Sequence, residues 1–137
     1  MSRYAENKGV SLFVVDDSDS YRTLLNIMLQ KEGYEVSSFD NGFDALNALS
    51  LFRPNLIVSD IEMPEMDGLD FYTEIEKRGF FEEPIPFVFI SSTGFKSKID
   101  KAEKLSSREL ISKSLHPESI VKIIEGVLRE YEKEGIE

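Results

Sequence analysis

Two short apolar runs in this chain end abruptly in acids. Leu12-Phe13-Val14-Val15 stops at Asp16-Asp17, and Leu56-Ile57-Val58 leads into Asp60, the first residue of Asp60-Ile61-Glu62-Met63-Pro64-Glu65-Met66-Asp67-Gly68. A carboxylate at the end of a buried strand is a costly placement, so it calls for a chemical reason. If the two strands lie side by side, three carboxylates meet at one point. Two unit charges ~4 Å apart repel by about 4 kcal/mol at an effective dielectric of about 20. A hard divalent cation relieves that repulsion, and an all-oxygen site with room for water suits Mg²⁺, with Mn²⁺ as the alternative. The chain has no cysteine and one histidine, His116, which argues against zinc.

One acid is left to react. Asp60 stands alone while Asp16 and Asp17 share the charge of the metal, which makes Asp60 the candidate nucleophile for an aspartyl phosphate. Phe89-Ile90-Ser91 brings a hydroxyl, and Leu110-Ile111-Ser112-Lys113 an ammonium, to the ends of two further apolar runs. Carboxylates, a cation, a hydroxyl and a lysine together bind and stabilise a transferring phosphoryl group.

The elements that must position these groups alternate between two periods. Short apolar runs fall at 11–15, 34–39, 55–59, 86–91 and 108–112. Helical spacing appears from Asp19 to Glu32, with Gly33 placed for a left-handed cap. It reappears from Asp40-Asn41, with Phe43, Leu46 and Leu49 inward, then from Gly68 to Gly79, over 95–105, and from His116-Pro117 onward. In the last helix Ile120, Ile123, Ile124, Val127, Leu128 and Tyr131 form one stripe. Gly126 interrupts it at a cost of about 1 kcal/mol against alanine.

Five βα units with near-continuous apolar strands predict a parallel sheet covered on both faces. The fold class is a flavodoxin-like (βα)5 three-layer sandwich of strand order 2-1-3-4-5. The second and fifth runs are the most polar and belong at the edges. In that order the connection reverses between strands one and three, where such sheets bind ligands, and Asp16-Asp17 and Asp60 stand at those two strand ends.

At 137 residues the chain holds one domain, expected over 10–131, with tails at 1–9 and 132–137. The net charge of −10 argues against nucleic acid and anionic membranes as partners. The N-terminus lacks a signal-peptide pattern and no apolar stretch is long enough to span a bilayer, so a cytoplasmic location is expected.

The acidic pair Asp16-Asp17, the segment D-x-x-M-P-x-M-D-G from Asp60, Ser91 and Lys113 together resemble a response-regulator receiver domain of two-component signal transduction, over about residues 9–131. The resemblance implies that Asp60 accepts a phosphoryl group from a sensor histidine kinase or a histidine phosphotransfer protein. It implies that Asp17 and Asp60 ligate Mg²⁺ directly, Asp16 through water, and Glu62 by its main-chain carbonyl. Ser91 would bind the phosphoryl oxygen, and Lys113 would pair with the phosphate and Asp60. Met63, Pro64, Asp67 and Gly68 would shape the loop.

The expected output is a change on the face built by the fourth helix, fifth strand and last helix. A downstream protein partner, or a phosphorylation-dependent dimer of an otherwise monomeric chain, would read it. Beyond self-phosphorylation from a phosphodonor and slow loss of that phosphate, no enzyme activity is implied.

Some positions depart from the family pattern or vary within it. Ser114 stands where a proline usually follows the lysine, and Leu110 where an aromatic switch residue is common. Glu62 and Thr93 occupy positions that flank the phosphoryl group and influence its hydrolysis. Two other readings compete. A Mg²⁺-dependent phosphohydrolase of the haloacid-dehalogenase type needs a second aspartate two residues after the nucleophile, where this chain has Glu62. A pseudo-receiver would act as a docking module without phosphate.

Overall fold

The computed structural model describes residues 4–92 and 109–136. Five parallel strands, β1 (Ser11–Val15), β2 (Glu35–Phe39), β3 (Leu56–Asp60), β4 (Phe87–Ser91) and β5 (Glu109–Ser112), form one sheet of order β2-β1-β3-β4-β5. This is the expected doubly wound topology. Around it lie α1 (Tyr4–Asn7), α2 (Asp19–Lys31), α3 (Gly42–Leu49), α4 (Gly68–Arg78) and α5 (Pro117–Ile136). The helical pattern at 95–105 falls outside the described residues.

Strand parity divides the core. Odd positions of β1, β3 and β4 (Phe13, Val15, Ile57, Phe87, Phe89) pack with Ala45, Leu46 and Leu49 of α3 and with Leu69, Phe71 and Tyr72 of α4. Even positions (Leu12, Val14, Leu56, Val58, Val88, Ile90) pack with Leu25 and Leu29 of α2 and with Ile120, Ile124 and Leu128 of α5. Successive side chains of a strand point to opposite faces, so a run apolar at every position demands a helical layer on each side. β1, β3 and β4 are buried throughout, whereas β2 mixes exposed and half-buried residues at the sheet edge.

Local chemistry sets the helix ends. Ser18 caps α2 by accepting from the Tyr21 N–H, and Gly33, just past its end, takes φ 100°. Asp67 caps α4 in a reciprocal box with Asp70, and Gly79 closes that helix at φ 57°. The His116 carbonyl accepts from the Ile120 N–H, and its Nδ1 accepts from the Glu118 N–H at 3.3 Å, the bonding of an N-cap residue ahead of α5.

Three details differ from the sequence reading. Phe43 is 47% exposed, because the inward stripe of α3 runs through Gly42, Ala45, Leu46 and Leu49 and leaves position 43 on the flank. The segment 132–137, expected as a tail, continues α5 as far as Ile136. Glu132, Lys133 and Glu134 are good helix formers, so the helix outruns its apolar stripe. At the other terminus, residues 4–7 form a short helix rather than a plain tail, and Asn7 Nδ2 donates to the Glu32 carbonyl beyond α2.

Candidate functional site

The carboxyl ends of β1, β3, β4 and β5 converge. Asp60 is the last residue of β3 and pairs in register with Ile90, while Ser91 ends β4 opposite Ser112. The ladder continues past the strand ends, with Asp16 N–H donating to Phe39 O, Ile61 N–H to Ile90 O and Lys113 N–H to Ser91 O. These bonds fix the backbone from which each functional side chain projects. Carboxylate oxygens of Asp16, Asp17 and Asp60 lie within 4.8 Å of one another. Asp16 and Asp60 are buried, and Asp17 faces solvent.

Lys113 bridges the two buried acids. Its Nζ lies 2.9 Å from Asp16 Oδ2 and 3.2 Å from Asp60 Oδ2. The pairing expected with Asp60 is therefore shared with Asp16. Burial opposes the ammonium, but its hydrogen bond to Asp16 and the charges of Asp16 and Asp60 hold its pKa above the ordinary value. Burial acts the other way on Asp60. Together with the nearby Asp16 charge, and with a smaller push from Glu62, it outweighs Lys113 and raises the Asp60 pKa to about 7.

Asp60 Oδ1 is buried without a hydrogen-bond partner among the described residues. An orphaned buried carboxylate oxygen beside two further acids fits a hard divalent cation, which all-oxygen donor sets favour. Asp16 is fixed on its other side, because its Oδ1 accepts from the Ser18 N–H at 2.8 Å.

Three neighbours of the site are not marked by any motif. The Tyr21 ring lies under Lys113, with Nζ 4.6 Å from its centroid, and Arg22 Nη1 donates to the Asp16 carbonyl at 2.7 Å. In sequence, Tyr21 reads only as an apolar residue of the first helix. The available signal is its place in the first turn of a helix that starts shortly after Asp17, because that turn must face the strand ends. The third neighbour is the Glu62 side chain, whose Oε1 accepts from Ser91 Oγ at 2.5 Å. The resemblance to receiver domains implies a role for the Glu62 main-chain carbonyl and a place beside the phosphoryl group, not a partnership with Ser91.

The loop after Asp60 folds back on itself. Met63 N–H donates to Ile61 O, Met66 N–H to Pro64 O and Gly68 N–H to Ile61 O, and the Met63 and Met66 side chains are buried. Glu65 takes a left-handed φ of 66°. A Cβ at Gly68 would collide with the Asp60 carbonyl oxygen and come within 2.9 Å of Ile61 Cα. Only glycine permits this approach, so Gly68 fixes the backbone that carries Asp60. Asp67 serves the helix cap.

At the two departures the structure supplies its own packing. The turn after Lys113 is held by serine hydroxyls: Ser112 and Ser114 Oγ lie 2.7 Å apart, and the Ser114 N–H donates to Ser112 Oγ. Leu110, half-buried and in register with Phe89, packs against the core on the α3/α4 side of the sheet. Thr93 lies outside the described residues.

Comparison with known proteins agrees with this arrangement. The family model described as the response regulator receiver domain matches residues 12–125, and the chain belongs to that family. The chemotaxis protein CheY of Thermotoga maritima is 29% identical over 120 residues, which cover 87% of this chain and 98% of that protein. A probable transcriptional regulator, ycf27, of Cyanophora paradoxa is 32% identical over 126 residues, 88% of this chain and 49% of that protein. The chain thus spans about half the length of that relative.

Among solved structures, the chemotaxis response regulator CheY4 of Vibrio cholerae superimposes with a TM-score of 0.77 at 26% identity, covering 86% of this chain and 98% of that one. A CheY-like receiver domain protein from Methanospirillum hungatei gives 0.82 at 22% identity over 91% of this chain and 98% of that one, a likeness of fold.

Proposed function

We propose that this receiver domain takes a phosphoryl group onto Asp60 from a phosphohistidine of a sensor histidine kinase or histidine phosphotransfer protein. The observation that carries this reading is the setting of Asp60. It is a buried carboxylate at a strand end, with one oxygen 3.2 Å from a lysine ammonium and the other without a hydrogen-bond partner among the described residues.

A carboxylate oxygen of Asp60 attacks phosphorus, the phosphorus–nitrogen bond to the donor imidazole breaks, and the imidazole leaves with the electron pair and takes up a proton. Asp17 and Asp60 would hold Mg²⁺ directly, Asp16 through water, and the Glu62 carbonyl would complete the protein's share, with Mn²⁺ able to substitute. The cation, when bound, supplies positive charge against the oxygens of the transferring group. Lys113 stays between Asp16 and Asp60 and offers its ammonium to a phosphoryl oxygen. Ser91 donates its hydroxyl to another. Met63, Pro64, Asp67 and Gly68 keep the Asp60 backbone in place.

Output would pass through the face of β5 and α5, together with the segment around 95–105. A downstream protein, or a second copy of the chain, would read the phosphorylated state. In that role the domain works in the cytoplasm, as a unit over about 10–131. Among the described residues no helix is long and apolar enough to cross a membrane.

The test is incubation with acetyl phosphate and Mg²⁺, read by intact mass. One phosphate should be added to the wild-type protein and none to Asp60→Asn. Labelling that persists in the variant would contradict the assignment. Repeated turnover of a phosphate monoester would favour the phosphohydrolase instead, and failure to bind Mg²⁺ would favour the docking module.

A further inference from the structure

We propose that Glu62 is a resting-state latch on Ser91, holding through its carboxylate the hydroxyl proton that a phosphoryl group on Asp60 would need. The inference rests on the phosphoacceptor reading of Asp60 and deepens it.

Ser91 Oγ donates to Glu62 Oε1 at 2.5 Å, the length expected of a hydroxyl bonded to an ionised carboxylate. Ser91 is 5% exposed at the end of β4, so its hydroxyl has little access to water as an alternative partner. A serine hydroxyl carries one proton and makes one such donation at a time. The oxygen it binds must lie about 2.5–3.0 Å away, so Glu62 Oε1 occupies the place that a phosphoryl oxygen would take. The two acceptors exclude each other. Loading Asp60 therefore exchanges one anionic acceptor for another and drives the Glu62 side chain off Ser91.

Glu62 follows Asp60 by two residues, and the bond from Ile61 N–H to Ile90 O holds the β3 and β4 ends together. The exchange is thus a side-chain movement across a fixed backbone. The latch sets how readily the phosphorylated state forms, independently of the ligand role of the Glu62 main-chain carbonyl, which side-chain substitution leaves intact.

The test is a double-mutant cycle on beryllofluoride affinity at saturating Mg²⁺, using wild type, Glu62→Ala, Ser91→Ala and the double variant. Glu62→Ala should tighten binding about tenfold in the wild-type background, the scale of one charge-assisted hydrogen bond released. With Ser91→Ala present, the same substitution should tighten binding by no more than about twofold, the part due to removed negative charge alone. Glu62→Gln, which keeps a neutral acceptor, should fall between wild type and Glu62→Ala.

Equal effects of Glu62→Ala in both backgrounds would overturn the latch while leaving the phosphoacceptor reading standing. So would unchanged or weaker binding by Glu62→Ala when Ser91 is present. Wild-type protein that binds Mg²⁺ but no beryllofluoride would overturn that reading, and the latch with it.

Discussion

Asp60 is under stress that its neighbours only partly relieve. Burial and the Asp16 charge raise its pKa to about 7 against an unfolded value near 3.8. The folded protein therefore holds a proton on Asp60 that the unfolded chain has lost, over the window between those values. Stability from this source is complete below about pH 3.8 and declines as pH rises through about 7. In EDTA, urea unfolding at about pH 5 and about pH 8 should show wild type losing more stability at the higher pH than Asp60→Asn. The difference should be on the order of 2–4 kcal/mol. Mg²⁺ at the higher pH should close most of that gap. Equal pH dependence in the two proteins would remove the argument that Asp60 is held at an energetic cost. Lys113, whose pKa is also raised, contributes stability over this whole range and loses it only at alkaline pH.

Between elements, the same glycine-to-alanine change acts in opposite directions. Gly68 lies against the Asp60 carbonyl, so Gly68→Ala should destabilise the fold by about 2 kcal/mol or more and shift the backbone under Asp60. Gly126, mid-helix in α5, is exposed, and a Cβ added there would meet nothing within 4 Å. Gly126→Ala should stabilise by about 0.5–1 kcal/mol. Urea titrations of both variants check the two signs.

Several caps of these elements are legible in the sequence because they are local. Asn41 and the glycines at 33 and 79 bond to, or bend, their own or adjacent turns, whereas the caps made by Ser18 and Asp67 emerge only in the structure. Phe43 is misplaced by its pattern because a stripe drawn from three apolar residues allows two neighbouring faces, and only packing against β1 and α4 chooses between them. Glu62 and Tyr21 are not legible as partners of Ser91 and Lys113. Each contact joins residues far apart in sequence, and no residue pattern specifies which of several nearby polar groups a flexible side chain selects.

For the molecule as a whole, the order β2-β1-β3-β4-β5 does most of the positioning. Runs apolar at every position demand helices on both faces. Right-handed crossovers then leave few orders, and all of the site's acids sit at carboxyl ends. That logic places Asp16, Asp17, Asp60, Ser91 and Lys113 in one mouth without any side-chain geometry. The net charge of −10 disfavours non-specific binding to nucleic acid and to anionic membranes. Among the described residues, the Lys113 ammonium bridges the buried acids Asp16 and Asp60. That Asp60, and no other residue, carries the phosphoryl group is tested most directly by chemical trapping. Protein labelled by acetyl phosphate and Mg²⁺ is treated with borohydride, which reduces an aspartyl phosphate to homoserine, and the change is located by peptide mass spectrometry. Homoserine should appear at position 60 alone; reduction at another aspartate, or a stable phosphate on a serine or on His116, would contradict the assignment.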